Sequence, residues 1–436
     1  MNNTVFCFRF RKHFILGYLA LSCLVNTVPF LTHQLPDDLR NVYVGATILS
    51  NGGNPYDDIT LKRTWIEITK EQGITGPGSS TPPGLPTPLL YSPNALGFYI
   101  PFSWISWNVL APMAQLMSLL CIFIASYFFV NAERKDHLPV TLMLLVLLAL
   151  NGTGWVIGNA NPAAFSLLFI AIFYYHFKKG KVLLSGVWLG LAAVKITLAF
   201  PLFAFLVARR EYKACVIGIV VASIPLAAYI GNGSVIGAFA NWLEVTQDFS
   251  HQLLTLSPNN ETLWHGFDVW QTSHALLDYT SPVSALVSFY LHSFGFNFNP
   301  SVINYVVYGF SFGIGIILIY LYRKGRIGDL SLIVLLFCLE FLSNYHLIHD
   351  SFVLIAFLLL LLPEISYKQQ CILIAATSIL ILPFNGFFIH SGIPKEFYLF
   401  FFNIPLVILT VLFVIINHEF KKYRRCKKLA CNPCPL

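Results

Sequence analysis

The chain reads as an all-α polytopic membrane protein, a bundle of about 10–13 transmembrane and short re-entrant helices with two extracytoplasmic loops that bear interfacial helices. Three observations carry this reading. Of 436 residues, 56% are apolar and 11% charged, with a mean hydropathy of +0.68, whereas a soluble domain carries about 25% charge. Several runs of about 20 residues lack charge, enough to cross a hydrocarbon core of roughly 30 Å. Those runs are continuous rather than alternating, which suits helices and not a barrel.

The net charge of +7 is explained by its placement and implies no nucleic acid. Basic clusters recur between spans: Arg9/Arg11/Lys12, Arg134/Lys135, Lys178/Lys179/Lys181, Arg209/Arg210/Lys213, Arg323/Lys324/Arg326, Lys368, and Lys421 to Lys428. Placing all of them in the cytoplasm gives a consistent alternation. It puts 21 of the 27 basic residues inside and leaves Arg40, Lys62, Arg63, Lys70 and Lys395 outside, with Lys195 in neither set. None of the nine cysteines falls in either long outside loop, so no extracellular disulfide framework is expected. Cys431 and Cys434 lack a second ligand pair for zinc and read as part of a reduced, solvated tail.

Taken in order, the first span covers about 13–31 and reads as uncleaved, with a basic start and an apolar core. The first outside loop covers 32–92. It opens on a helical pattern from Asp38 to Leu49, with Leu39, Val42, Ala46 and Leu49 on one face. Asp37 or Asp38 can cap this helix and Gly52-Gly53 stops it. Too short to span, it is expected along the membrane surface. Residues 73–93 are rich in Gly, Pro, Ser and Thr and read as a loop. Residues 93–107 are apolar but short, and a full span follows at 108–130. Spans at 139–152 and 161–177 are expected to join through an outside link containing Trp155, Gly158, Asn159, Asn161 and Pro162. Residues 182–208 have basic clusters at both ends, so two half-helices that enter and leave from the cytoplasm and meet near Lys195 preserve the alternation. A span at 214–231 leads into the second outside loop, 232–299, whose tryptophans and histidines suit interfacial helices. Spans at 300–322, 330–345, 351–363, 370–385 and 397–417 complete a single transmembrane domain over 1–420. Residues 421–436 form a basic cytoplasmic tail.

Four constellations could carry chemistry. Asp37/Asp38 reads either as a helix cap or as a general base at the membrane boundary, where apolar surroundings favour a carboxylate that accepts a hydroxyl proton. Lys195, between apolar half-helices, either snorkels to headgroups or holds an anion such as a lipid phosphate. His346, His349 and Asp350 share one helix face, a spacing open to phosphate or sugar hydrogen bonding, interfacial capping or metal ligation. Asn259 to Thr262 and Trp264 to Gly266 form the polar heart of the second loop and also suit a turn. Tyr91-Ser92-Pro93-Asn94 reads as a turn that starts a helix. No Gly-rich phosphate loop, nucleotide fingerprint or Ser-His-Asp order occurs, and no soluble domain that would handle a nucleotide sugar.

Together, several stretches resemble one family. They are Asp38-Leu-Arg-Asn-Val-Tyr43 with Ala46, Leu49 and Gly53-Asn54-Pro55-Tyr56-Asp57; Tyr91-Ser92-Pro93; Gly158-Asn159-Ala160-Asn161; Ser185 to Lys195 with Pro201; and Asn260-Glu261-Thr262-Leu263. The chain resembles glycosyltransferase family 87, the polyprenyl-phosphate-mannose-dependent alpha-mannosyltransferases, which have the membrane GT-C fold. The resemblance runs from about 14 to 420. It departs from the family pattern at Asn159 (usually Gln), at Glu261-Thr262 (Gln-Ser) and at Ile196, where Pro often stands. It implies a catalytic aspartate that aligns with Asp38 and not Asp37, a polyprenyl-phosphate sugar donor, no nucleotide sugar and inversion at the anomeric carbon. The expectation is then a hexosyltransferase of the inner (plasma) membrane with its site on the extracytoplasmic side. It would pass a hexose, mannose before others, to a glycolipid or glycan hydroxyl, without cofactor or metal. Asp37, Arg40, Tyr43, Tyr56, Asn159, Asn161, Lys195, Asn260, His346 and His349 are the candidate substrate contacts. A lipid-linked-sugar flippase and a surface-polysaccharide polymerase or ligase are the competing readings.

Overall fold

The computed structural model describes residues 17–24, 36–74, 85–86, 88–133, 139–230, 234–255, 300–343, 350–378 and 404–431, and among these the regular structure is entirely helical. After a helical stretch at 17–24, the helices are α1 (Asp37–Ser50), α2 (Asp58–Glu71), α3 (Pro93–Ser103), α4 (Trp107–Glu133), α5 (Val140–Ala149), α6 (Asn151–Gly158), α7 (Ala163–Lys178), α8 (Val182–Ala192), α9 (Ile196–Arg209), α10 (Tyr212–Ser223), α11 (Val235–Thr255), α12 (Pro300–Arg323), α13 (Asp329–Ser343), α14 (Ser351–Leu361), α15 (Tyr367–Ser378) and α16 (Ile404–Cys431). Among the described residues four helical runs are long and apolar enough to cross a membrane: Trp107–Glu133, Val182–Arg209, Tyr212–Tyr229 and Tyr305–Arg323. A fifth is the bent pair α5–α6; α7 and α14 are shorter apolar helices. The protein is therefore a multi-pass, all-helical membrane protein, as the composition requires.

Three sequence expectations change. The link after 152 is not a loop, because α6 forms there and turns by 85° from α5. Leu150 is extended at the joint, and the Thr153 hydroxyl donates to the Leu147 carbonyl at 2.6 Å, satisfying a group the bend leaves free. The re-entrant pair at 182–208 is instead one 28-residue run, interrupted by a 3-10 turn at Ala193–Lys195 that does not reverse the chain. A single crossing there separates the basic clusters at its two ends, so the charge alternation that argued for two half-helices cannot hold for both. Finally, α16 continues past the expected last span to Cys431, so part of the expected solvated tail is helical.

Two compact units divide the chain. The first comprises the described parts of Met1–Ala199 and Val216–Phe249. In it α4 packs along α7, α7 along α8, and α1 on α3. The expected stripe of α1 is buried, but so is most of its circumference: ten of its 14 residues lack solvent, among them Arg40, Asn41 and Val44. A helix packed on one side only would keep a wet face, so α1 is covered by other parts of the protein around most of its circumference. Each large aliphatic side chain buried this way contributes roughly 1.5–3 kcal/mol over exposure to water. The second unit comprises Phe200–Cys215 and the described parts of Ser250–Ile379 and Phe384–Leu436. Its centre is α13, buried from Leu330 to Ser343, with α12, α14 and α16 against it. Polar pairs close its end: Arg209 on Asp329 at 3.2 Å, and the Ser331 hydroxyl on Glu419 at 2.6 Å.

Close backbone approach in the first unit sets a stability test. A Cβ on Gly97 would lie 2.1 Å from the Pro225 carbonyl oxygen, whereas one on Gly45 would meet only the mobile ends of Leu89 and Leu96, at 2.8 and 3.0 Å. Backbone cannot yield as side-chain tips do. Gly97→Ala is expected to destabilise by about 3 kcal/mol or more and Gly45→Ala by about 1 kcal/mol or less. Thermal melting of the detergent-solubilised proteins ranks the two, and equal shifts would contradict the packing described.

Candidate active site

Asp38 lies in the first turn of α1, but it does not cap that helix. The residue before the helix is Pro36, which offers no side-chain acceptor, and no side chain caps the end. The cap comes from elsewhere in the chain: the Leu39 amide donates to the Asn159 carbonyl at 3.1 Å. This frees the Asp38 carboxylate. Its Oδ1 accepts from the Tyr91 hydroxyl at 2.8 Å, and its Oδ2 accepts from the Asn161 Nδ2 at 2.8 Å. The two donors also lie 3.3 Å from each other. Both are neutral, and each oxygen keeps capacity for a further hydrogen bond.

The turn between α6 and α7 explains why Asn159 and Asn161 both reach α1. Ala160 between them has φ 46°, a left-handed conformation that costs a non-glycine residue roughly 1–2 kcal/mol. The reversal lets Asn159 present its carbonyl to α1 while Asn161 presents its side chain. Asn161 is fully buried, and its Oδ1 accepts from the Ala163 amide at 2.8 Å, so one carboxamide both starts α7 and orients Asp38. Such strain persists where surrounding bonds over-determine it, commonly at functional positions.

Asp37 is occupied differently. Its carboxylate pairs with Arg40 at 3.0 Å, the two side chains being 63% and 6% exposed. The Arg40 guanidinium also lies over the Trp65 ring, 5.8 Å from its centre. Loss of solvent raises the Asp37 carboxyl, Arg40 lowers it and the Asp38 charge raises it again. Since most of the Asp37 side chain is in solvent, that desolvation is strongly screened and the pair adds little stability. Burial lowers the Arg40 guanidinium, and Asp37, then Asp38, oppose this.

Of the remaining candidates, Tyr43 is taken up by the fold: its hydroxyl donates to the Ile105 carbonyl at 3.1 Å and its ring packs 5.4 Å from Trp107. Tyr56 acts through the backbone, its hydroxyl donating to the Tyr91 carbonyl at 2.9 Å. Lys195 ends the 3-10 turn between α8 and α9. Asn260, His346 and His349 lie outside the described residues, as does Cys434 of the tail. Among the described residues no three His, Cys, Asp or Glu side chains gather as metal ligands would. Sequence reasoning took Tyr91 as part of a turn and of a family motif and gave it no role in the site. Its signal was its place in the Tyr91-Ser92-Pro93 motif, and its hydroxyl is one of the two groups that hold Asp38.

Fold and site define a polytopic membrane protein with an oriented carboxylate among its buried helices. The family model for Glycosyltransferase family 87 matches residues 89–342, more than half of the chain, and the chain belongs to that family. It is by family a glycosyltransferase. Tyr91, Asn161 and Lys195 lie in the matched stretch, and Asp38 precedes it. No curated protein matches the chain.

Asn161 has two structural duties and Tyr91 one. Asn161→Ala is expected to lower stability by about 1–3 kcal/mol and Tyr91→Phe by about 1 kcal/mol, and both should slow sugar transfer. Melting curves and transfer rates of the two variants, measured side by side, check the order; a Tyr91→Phe protein less stable than Asn161→Ala would reverse the assignment.

Proposed function

We propose that this glycosyltransferase moves a hexose, mannose before others, from a polyprenyl phosphate to a hydroxyl of a glycolipid or glycan on the extracytoplasmic side, with inversion and with Asp38 as general base. The observation that supports this most is the setting of Asp38, oriented by Tyr91 and Asn161 through neutral hydrogen bonds. In the proposed step the acceptor oxygen attacks the anomeric carbon and its proton passes to Asp38. The bond from that carbon to the phosphate oxygen breaks, and the phosphate monoester leaves with the electron pair. Such a leaving group needs little acid assistance. It needs charge stabilisation in a site that excludes water, commonly the largest catalytic contribution.

Lys195, Arg40 and His346 are the candidates for that role. Lys195 is preferred because it stands in the middle of the apolar run Val182–Arg209, where a cation suits the lipid end of the donor. A lysine there is costly unless it meets an anion or reaches water, and a lipid phosphate suits it. Asn159 and Asn161 form the wall beside Asp38. Asn260 is proposed as a sugar contact from the family resemblance, and His349 from the helix face it shares with His346 and Asp350.

Asp38→Asn keeps the shape and the Tyr91 hydroxyl contact but removes the base. It is expected to reduce transfer by about 10²–10⁴-fold in a protein that still folds, its melting temperature lowered by no more than that of Asn161→Ala because Asn161 loses its acceptor. The assay is incubation of purified protein with labelled polyprenyl-phosphate mannose, glucose and arabinose in separate reactions. Full activity of the variant would remove Asp38 from the mechanism, and consumption of none of the three donors by the wild type would overturn the donor assignment.

A further inference from the structure

We propose that Asn94, assisted by Ser166, is a positioning residue that sets the backbone carrying Lys195 and thereby tunes the grip on the donor; this rests on the reading of Lys195 as the phosphate-holding cation. Neither proline nor glycine forces the interruption at Ala193–Lys195, since residues Leu191 to Thr197 contain neither, and the β-branched Val194, Ile196 and Thr197 only slightly weaken an α-helix. A switch to i→i+3 bonding leaves carbonyls without their normal donors. Inside an apolar span an unsatisfied carbonyl costs several kcal/mol. The protein supplies the missing donors from two other helices. Ser166 of α7 donates to the Ala192 carbonyl at 2.9 Å, and the Asn94 Nδ2 of α3 donates to the Ala193 carbonyl. Ser166 is fully buried and Asn94 is 5% exposed, so water cannot stand in for either. Asn94 Oδ1 has no hydrogen-bond partner among the described residues, and the carboxamide is thus held by its bond to the break.

Asn94, the second residue of α3, follows Tyr91 by three residues, and the Tyr91 hydroxyl holds Asp38. The approach to α3 is braced: Trp242 Nε1 donates to the Leu90 carbonyl at 2.9 Å, and the Tyr56 hydroxyl to that of Tyr91 at 2.9 Å. Residues 90–94 therefore tie the proposed base at one end to the Lys195 turn at the other. A shift of the turn would move the cation relative to the carboxylate without touching either.

The test is a double-mutant cycle on the full chain in detergent. Asn94→Asp matches the size but has no N–H to give. It is expected to raise the apparent KM for the polyprenyl-phosphate donor about tenfold, with kcat and the acceptor KM changed by less than about threefold. Asn94→Gln, which keeps the amide, should recover part of the loss. On a Lys195→Met background the same Asn94→Asp change should add less than about twofold, because its effect runs through Lys195. Additive effects, with Lys195→Met alone raising the donor KM, overturn the role of Asn94 and leave that of Lys195 standing. An unchanged donor KM in Lys195→Met overturns both. If Asn94→Asp fails to fold, Ser166→Ala takes its place: a severalfold rise in donor KM supports the proposal and an unchanged donor KM overturns it.

Discussion

The Tyr91–Asp38–Asn161 contact joins parts of the chain that local structure leaves independent. A carboxylate in the first turn of a helix would ordinarily serve its own backbone. Here it accepts from a side chain 53 residues onward and from another 123 residues onward. Because Asn161 also starts α7, and Tyr91 sits on the segment held by Tyr56 and Trp242, the carboxylate is fixed by α1, α3, the α6–α7 turn and α11 together. Both donors are uncharged, so they orient the carboxylate without placing a cation on it.

The same accounting governs each irregularity of the first unit. Backbone amides and carbonyls in apolar surroundings have to be paired inside the protein. At the α5–α6 bend Thr153 closes the account and Gln115 caps the end of α6, its Nε2 donating to the Gly158 carbonyl at 2.8 Å. At the start of α1 the Asn159 carbonyl does so, and at the Lys195 turn Ser166 and Asn94 do. Each of these departures from plain helix draws on a polar group from another element.

Much of this was legible in the residues and some of it could not be. The stripe Leu39, Val42, Ala46 and Leu49 announced α1 correctly, since helical periodicity is local. Its depth was not legible, because burial of Arg40, Asn41 and Val44 depends on α3 and α2, which the pattern of α1 cannot report. Continuous apolar runs located the spans. The re-entrant reading of 182–208 failed because charge placement is a statistical tendency, whereas a 3-10 turn bends a helix without reversing it. Asp38 was distinguished from Asp37 by motif order, yet the expected cap was wrong, since a carbonyl 120 residues away leaves no trace beside the helix it serves. Tyr91 and Asn94 looked like a turn for the same reason: their partners are far off in sequence.

The division between the two adjacent carboxylates has a physical cause. Arg40 is one turn from Asp37, and its guanidinium is pinned against the Trp65 ring. That geometry commits the cation to Asp37, whose influence on Arg40 exceeds that of Asp38. A guanidinium directly on Asp38 would favour the charged carboxylate and weaken it as a base; one residue away, it still contributes positive potential where an anionic donor would arrive. The Trp65 ring under that guanidinium is fully buried, so the cation rests on an apolar face as well as on a carboxylate.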